Sequence, residues 1–489
     1  MQYVLNAMRM KQVEQKVIEG YGLSSLILME KAALSVFESL RERNIKLNHT
    51  LILCGTGNNG ADGLALARIM CDHHYHPDVY ICGNMNHATK EFTKQLQILA
   101  HYDVSILTDL NDHAYITIID AIFGIGLSRN IEHETFKVIQ KINEMDAFKV
   151  AVDIPSGIDA NTGQIRGIAV KADLTVTFAY QKIGHLLYPG RSYTGELLIK
   201  NIGLNYMADD EIPDCYTLTK EDLFVPERIP DANKGTYGKL LVIAGSKDIC
   251  GAALLCVLAA FKMGTGMVKL MTHSKNRELI ISKIPECMLI CYDDTIDQHK
   301  FKEAIEWSTA VVAGPGISTE PVAVAICRYL LTIKNKPVVL DADALNIISK
   351  EKLLEDLSDN MIVTPHIGEM SRLTNQEVPA IKQESIRICD EFANKHQVVC
   401  VMKDASTIVA SDRRNTYINT SGNSGMATAG SGDVLAGIIG AYCAMNTPLD
   451  QSAVNGVLIH GLAGDMAKEK HGEAAMMPSD LIEELKELL

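Results

Sequence analysis

The chain has 489 residues, more than one core of ordinary size can serve, so two domains are the simplest expectation. Its 47% hydrophobic and 22% charged residues fit a globular enzyme with large cores, not a disordered or fibrous chain. A formal net charge of −14 excludes the basic footprint that duplex nucleic acid or an anionic membrane surface requires, so any phosphate site must be local.

Residues 1–20 alternate charged and apolar side chains and lack the continuous apolar core of a secretion signal. The 12 cysteines form no C-x-x-C pair, and Cys54, Cys256 and Cys400 sit inside apolar runs. They read as reduced core residues, which with the missing signal gives a cytoplasmic expectation. The longest apolar stretches, 251–261 and 434–445, are too short to cross a bilayer and are expected as buried helices.

From residue 10 to 40 the apolar spacing predicts two helices. Short β-branched runs follow at 50–54, 79–82, 104–107, 116–119, 149–152 and 174–178, with helical patterns such as 61–71 and 134–144 between them. That alternation predicts a doubly wound parallel sheet over a first domain, 1–210. Gly55-Thr56-Gly57-Asn58-Asn59-Gly60 leaves the first of these strands and opens a helix, as a dinucleotide fingerprint does. The acidic residue that would hold a ribose is absent from the next strand end, where Gly83-Asn84 stands, so ordinary NAD binding is not expected. The amides Asn58 and Asn59 with Asp62 suggest polar recognition of a ligand; the alternative is a tight turn with an Asn cap.

Asp120 ends the strand 116–119, and Asp153-Ile154-Pro155-Ser156-Gly157 follows 149–152. Ligands of open α/β sheets lie beyond strand C-termini, so the Asn59, Asp120 and Asp153 loops should converge. Oxygen atoms of Asn59, Asp120 and Ser156 would suit a hard cation, whereas each Asp taken alone could be a turn former.

The pattern becomes acidic and proline-marked over 211–230, the expected linker. A second α/β series over 231–489 follows, with strands at 240–244, 267–271, 310–313, 338–340, 362–364, 398–402, 407–410 and 416–418. The last three are close enough to be antiparallel, and helices near 434–445 and 449–468 finish the domain. Gly314-Pro315-Gly316, Asp341-Ala342-Asp343, Thr364-Pro365-His366-Ile367-Gly368-Glu369 and Lys403-Asp404-Ala405-Ser406-Thr407 each leave a strand. His366 could bond a substrate or cap the helix that follows it. Asn423 to Asp433 joins a small-residue loop, with Gly430-Ser431-Gly432, to a carboxylate at a helix mouth. Backbone N–H groups can crowd a phosphate where Cβ atoms are absent, and Asp433 could then take a proton from a hydroxyl; the alternative is a helix cap.

Together these motifs resemble the bifunctional NAD(P)H-hydrate repair enzymes over nearly the whole chain. Asn58 to Gly63, Asp120 with Gly124-Ile125-Gly126, and Asp153 to Gly157 look like the NAD(P)HX epimerase domain. The resemblance implies a Rossmann-like fold, a potassium ion at Asn59, Asp120 and Ser156, and a hydrate pocket at Asn58, Asn59, Gly60, Ala61, Asp62, Gly124, Ile125, Gly126, Leu127, Ser128, Arg129, Asn130 and Asp153. Lys234-Gly235-Thr236-Tyr237-Gly238 and the glycine, histidine and aspartate motifs after it resemble the ADP-dependent NAD(P)HX dehydratase, which implies a ribokinase-like α/β/α fold. There Ala252, Gly316, His366 and Asp433 would face the hydrate. Lys403, Asp404, Ala405, Ser406 and Thr407, with Gly430, Ser431 and Gly432, would hold ADP with magnesium. Asp404 and Ala429 stand where the family pattern has glycines.

The implied partners are NADHX, NADPHX and ADP, with no nucleic acid and no membrane, in a homo-oligomer. Asp433 is expected to deprotonate the C6 hydroxyl, and Asp153 to move a proton in epimerisation, with Lys182 a second candidate. A ribokinase-like kinase of a small molecule or vitamin would use the same glycine loop and base, and a silent nucleotide sensor would bind without turnover.

Overall fold

The computed structural model describes residues 1–110, 114–204, 215–412 and 414–489. Met1 apart, contacts divide the chain into two units, Gln2–Cys215 and Tyr216–Leu489. Among the described residues no helix is long and apolar enough to cross a membrane.

The first unit holds β1 (Gln2–Leu5), α1 (Ala7–Gln15), α2 (Ser25–Glu42), β2 (Thr50–Gly55), α3 (Asn58–Asp72), β3 (Asp78–Cys82), α4 (Lys90–Leu99), β4 (Ser105–Leu107), β5 (Thr117–Ala121), α5 (His133–Glu144) and β6 (Phe148–Val152). β7 (Leu174–Phe178), β8 (Gln181–Lys182), α6 (Ile183–Leu186), α7 (Arg191–Thr194) and β9 (Glu196–Lys200) complete it. Every residue of β2, β5 and β7 is buried, as strands covered on both faces must be. The sheet runs β4-β3-β2-β5-β6-β7-β9, with all pairs parallel. From β2 the chain winds one way through β3 and β4, and from β5 it winds the other way. The order therefore reverses between β2 and β5, and a crevice opens beyond their C-terminal ends.

The second unit continues with β10 (Cys215–Thr217), β11 (Lys239–Ile243), α8 (Gly251–Lys262), β12 (Met267–His273), α9 (Arg277–Lys283), β13 (Met288–Tyr292), α10 (Gln298–Trp307), β14 (Ala310–Ala313), α11 (Pro321–Leu330), β15 (Val338–Leu340) and α12 (Asp343–Lys350). After them come β16 (Met361–Val363), α13 (Ile367–Thr374), α14 (Val378–Gln383), α15 (Ser385–His396), β17 (Val399–Met402), β18 (Ile408–Ser411), β19 (Arg414–Ile418), α16 (Ser431–Ala444), α17 (Leu449–His471) and α18 (Pro478–Glu484). Its sheet order is β13-β12-β11-β14-β15-β16-β17-β18-β19, parallel as far as β17 and antiparallel through the last two pairs. α16 is apolar around its circumference and buried from Val434 to Ala444, so it serves as a core helix. It lies close to α8: a Cβ on Gly437 would fall 2.2 Å from the Cys256 carbonyl oxygen.

Of the expected linker, 211–214 lie outside the described residues. The rest of that stretch packs on the second unit: Tyr216 meets Tyr417 at 5.5 Å between ring centroids, and Tyr442 Oη donates to the Phe224 carbonyl at 2.8 Å. β1, β8, β9, β10 and β13 are additional to the strands the sequence predicts. β8 and β10 are only two and three residues long, and β9 and β13 expose much of their side chains, so none carries a long buried run.

Candidate functional sites

At the first crevice β2 ends at Gly55, and α3 starts at Asn58 with Gly57 at its N-cap. The turn depends on missing side chains, because a Cβ on Gly60 would fall 1.7 Å from the Gly55 carbonyl oxygen. A cavity of about 580 Å³ opens here. Asn58, Asn59 and Asp62 of α3, Gly124, Ile125, Gly126, Leu127, Ser128 and Arg129 after β5, Asp153 after β6 and Lys182 of β8 line it. Gly60, Ala61 and Asn130 do not: Gly60 abuts Gly55, Ala61 faces the core, and Asn130 is exposed.

Asp153 adopts a left-handed φ of 69°, uncommon for a residue with a side chain. Its Oδ1 accepts from Lys182 Nζ at 2.6 Å and from Thr177 Oγ1 at 3.0 Å. Burial pushes the carboxyl up, but Lys182 outweighs it and holds Asp153 below the ordinary carboxylate range. His185, driven down to about 3 by burial and by Lys182, is neutral; its Nδ1 accepts from the Lys182 amide at 3.1 Å, and its Nε2 lies 3.0 Å from the Asp153 carbonyl. Asp62 receives no hydrogen bond among the described residues. Burial, Asp153 and Glu14 push it well above the ordinary value. Glu14 of α1 also lines the cavity and is pushed up by burial and Asp153.

Asp120 is fully buried beneath this loop layer, accepting from the Ser156 amide at 2.7 Å, Ser156 Oγ at 2.6 Å and the Ile122 amide at 3.2 Å. Burial lifts its carboxyl to about 6 against these hydrogen bonds. Asn59 is buried with its Nδ2 donor unpartnered, so that atom can donate to a ligand oxygen, while only the amide oxygen Oδ1 could meet a cation. A carboxylate, a hydroxyl and an amide in a dry layer are donors suited to a monovalent or other hard cation.

The second site collects the loops after β14, β15, β16 and β17 around the mouth of α16. Gly430 is the N-cap of α16 at φ 103°, without a side-chain capping bond, and Asp433 lies in the first turn. The cap alternative for Asp433 therefore does not hold, because its side chain bonds no backbone N–H there. Lys403 Nζ donates to Asp341 Oδ1 at 2.6 Å, and a Cβ on Gly432 would lie 3.3 Å from that ammonium. Thr364 Oγ1 donates to the same Asp341 oxygen at 2.6 Å. Burial, then Asp341, lift Asp433 to about 7 while Lys403 opposes them. Burial also lifts Glu369 to about 7. Lys403 is raised because Asp341 and Glu369 outweigh its own burial.

His366 caps α13: its Nδ1 accepts from the Gly368 amide at 2.9 Å and the Glu369 amide at 3.3 Å, and Glu369 Oε2 accepts from the His366 amide at 2.8 Å. Capping and an outward ring edge coexist, so both alternatives open in the sequence are compatible. Ala252 and Gly316 come together, since a Cβ on Gly316 would lie 3.2 Å from that of Ala252. In the β17–β18 connection Asp404 and Ala405 are exposed, Ser406 is buried, and Thr407 Oγ1 donates to the Asp404 carbonyl at 3.2 Å. Ser431 is buried, with its Oγ 3.3 Å from His460 Nε2.

Two contributors escaped sequence reasoning. Glu14 reaches the first cavity because β1 pairs in parallel with β8, Val4 beside Gln181, which no local signal shows. Asp465 of α17 accepts from the Gly422 amide at 2.9 Å and Asn423 Nδ2 at 3.1 Å, bracing the loop before α16. A carboxylate inside a buried helix could have flagged it.

Two crevices at strand exits, one with a buried lysine–aspartate pair and one with a helix-mouth carboxylate, define a two-unit α/β protein built to bind phosphorylated small molecules. A family model described as NAD(P)H-hydrate dehydratase matches residues 240–487, and one described as YjeF-related protein N-terminus matches residues 25–184. The bifunctional NAD(P)H-hydrate repair enzyme of Thermofilum pendens is 32% identical, over 99% of this chain and 96% of its own. The enzyme of the same description from Escherichia coli is 30% identical, over 97% and 92%. A ribokinase-like superfamily protein of Enterococcus faecalis superposes on 57% of this chain and 97% of its own, with a TM-score of 0.52 and 23% identity, a likeness of fold. The chain belongs to the bifunctional NAD(P)H-hydrate repair enzyme family.

Proposed function

We propose that the chain repairs hydrated nicotinamide nucleotides, NADHX and NADPHX, in two reactions. The first unit interconverts the R and S hydrates; the second dehydrates the S form to NADH or NADPH, converting ADP to AMP and phosphate. Full-length similarity to relatives of that description supports the pairing of activities.

The observation that carries the reading is Asp433, a carboxylate without a hydrogen-bond partner among the described residues and raised to about 7 in the first turn of a glycine-opened helix. The backbone N–H groups at Gly430, Ser431 and Gly432 are suited to the pyrophosphate of ADP, because a helix N-terminus presents free donors and positive potential. Residues Lys403 to Thr407 adjoin that mouth and are proposed to hold the rest of ADP with magnesium, while Ala252, Gly316 and His366 face the hydrate. Asp433 takes the C6 hydroxyl proton, the oxygen attacks the terminal phosphorus of ADP, and AMP leaves. Phosphate then departs from C6 as a proton leaves C5, which restores the ring double bond. Lys403 balances charge on the transferred phosphoryl group from beside Gly432.

In the first unit Asp153 moves a proton at C6, with Lys182 keeping it ionised. Asn59, Asp120 and Ser156 are proposed to hold a potassium ion, which would supply positive charge to the buried Asp120 carboxylate and order the loop beneath the cavity.

General-base help is worth about 10²–10⁴-fold in rate. Asp433→Asn should therefore slow ADP-dependent recovery of dihydronicotinamide absorbance from S-NADHX by at least about 10²-fold. A loss under about tenfold removes the base role. A persistent phosphorylated product in place of NADH would identify a kinase instead.

A further inference from the structure

Resting on the epimerase reading of the first unit, we propose that Asp62 is a second catalytic residue of that site, the acid that protonates ring nitrogen N1 while Asp153 takes the hydroxyl proton at C6. Both carboxyl groups line the same cavity of about 580 Å³, one from α3 and one from the loop after β6. They are provided for in opposite ways. Asp153 Oδ1 accepts two donors, the Lys182 ammonium and the Thr177 hydroxyl, and a carboxylate gains from both. Asp62 has no donor and no cation bonded to it among the described residues, which suits a group that keeps its own proton.

The charges around Asp62 agree. From α1 come Glu14 and the exposed Lys11, and Glu91 at the start of α4 already accepts from Ser25 Oγ. On the sheet side stand Asp153, Lys182 and neutral His185, and at the cavity margin the exposed Arg129 and His87. Lys182, the buried cation, is committed to Asp153, Thr177 and the Phe178 carbonyl. Asp62 is left facing two carboxylates, and burial acts in the same direction.

The chemistry of the hydrate requires such a pair. Its C6 bears a hydroxyl and is bonded to N1, so inversion can run through opening of this bond. Asp153 removes the O–H proton, the oxygen electrons form C6=O, the C6–N1 pair moves onto N1, and the Asp62 proton caps it. Rotation about C5–C6 turns the other aldehyde face to N1. N1 then adds to C6, its proton returns to Asp62, and the proton held by Asp153 returns to oxygen. Atoms and charges balance with no further reagent, and two carboxyl groups of opposite protonation suffice.

The test uses the full chain and purified R-NADHX without nucleotide, with the S form quantified by chromatography. For Asp62→Asn, an isosteric change that removes no hydrogen bond, kcat for epimerisation should fall by about 10²–10⁴-fold with KM within about threefold of wild type. Combining it with Asp153→Asn should be no slower than the slower single variant, because the two groups act in one step. Asp62→Asn turnover within about fivefold of wild type overturns the proposal. So does a loss explained by a raised KM or a lowered unfolding midpoint, which would mark a binding or structural role. If wild type itself forms no S hydrate, the epimerase reading fails and the acid role falls with it.

Discussion

The raised carboxyl of Asp433 gives dehydration a pH dependence of definite sign. A neutral acid cannot take the hydroxyl proton, so only the ionised form is active. With the group lifted from 3.8 to about 7, the rate at low substrate should fall about tenfold per pH unit below about 7 and level off above it. Between about pH 8 and about pH 6 the ionised share drops from roughly nine-tenths to roughly one-eleventh, so the two rates differ about tenfold. The perturbation is Asp341→Asn. The amide keeps an oxygen for the Lys403 and Thr364 bonds, both 2.6 Å, while the negative charge that raises Asp433 disappears. Loss of one like charge should lower Asp433 by about one unit, changing the rate ratio between about pH 6 and about pH 8 from roughly one-tenth to roughly one-half. The assay is recovery of dihydronicotinamide absorbance from S-NADHX with saturating ADP and magnesium, less an enzyme-free blank, read as the ratio of rates. A flat wild-type profile over this range, or a variant midpoint that moves upward, refutes the reasoning.

Two further outcomes follow from the same geometry. Lys182→Met leaves Asp153 buried without its cation, so the acid limb of R-to-S conversion should move up in pH and the first unit should lose about 3–5 kcal/mol, measured by denaturant unfolding. Because the Asp153 value in the folded state lies below 3.8, that loss should be full above about pH 4 and shrink as pH falls below it; a loss that grows on acidification contradicts the pairing. Gly430→Ala places a Cβ 2.6 Å from Leu255 Cδ1 at a φ of 103°, which should cost the second unit about 2–4 kcal/mol and raise the KM for ADP; wild-type behaviour in both measurements would mean the helix mouth tolerates a side chain.

The sheets were legible because parallel strands buried on both faces leave long β-branched runs, as in Thr50–Gly55 and Ala310–Ala313. The loops were legible for a related reason: a strand that ends at Gly55, or just past Asp120, must hand the chain on beyond the sheet edge, and the residues there carry glycine or acid for reasons visible in one dimension. Pairings were less legible. Lys182 sits in a two-residue strand with no apolar signal, and its bond to Asp153 spans 29 residues. Lys403, expected only as a nucleotide contact, meets Asp341 across 62 residues, a partnership set by strand order rather than by local spacing. The helix at 434–445 begins instead at Ser431, because Gly430 takes the left-handed turn that starts it.

With His366 facing the hydrate as proposed, its ring would have a consequence there. Both backbone N–H groups that it caps point at Nδ1, so that nitrogen must present its lone pair, and partial burial with Lys403 nearby holds the ring below the ordinary imidazole value. The only ring hydrogen on nitrogen is therefore on Nε2. Nε2 already lies 3.4 Å from Glu369 Oε1, so toward a guest the imidazole gives only by sharing that hydrogen with Glu369 and does not receive, which disfavours an amino group at that wall. The carboxamide of a nicotinamide presents both an oxygen and an amino group, and this polarity would select which way round it lies.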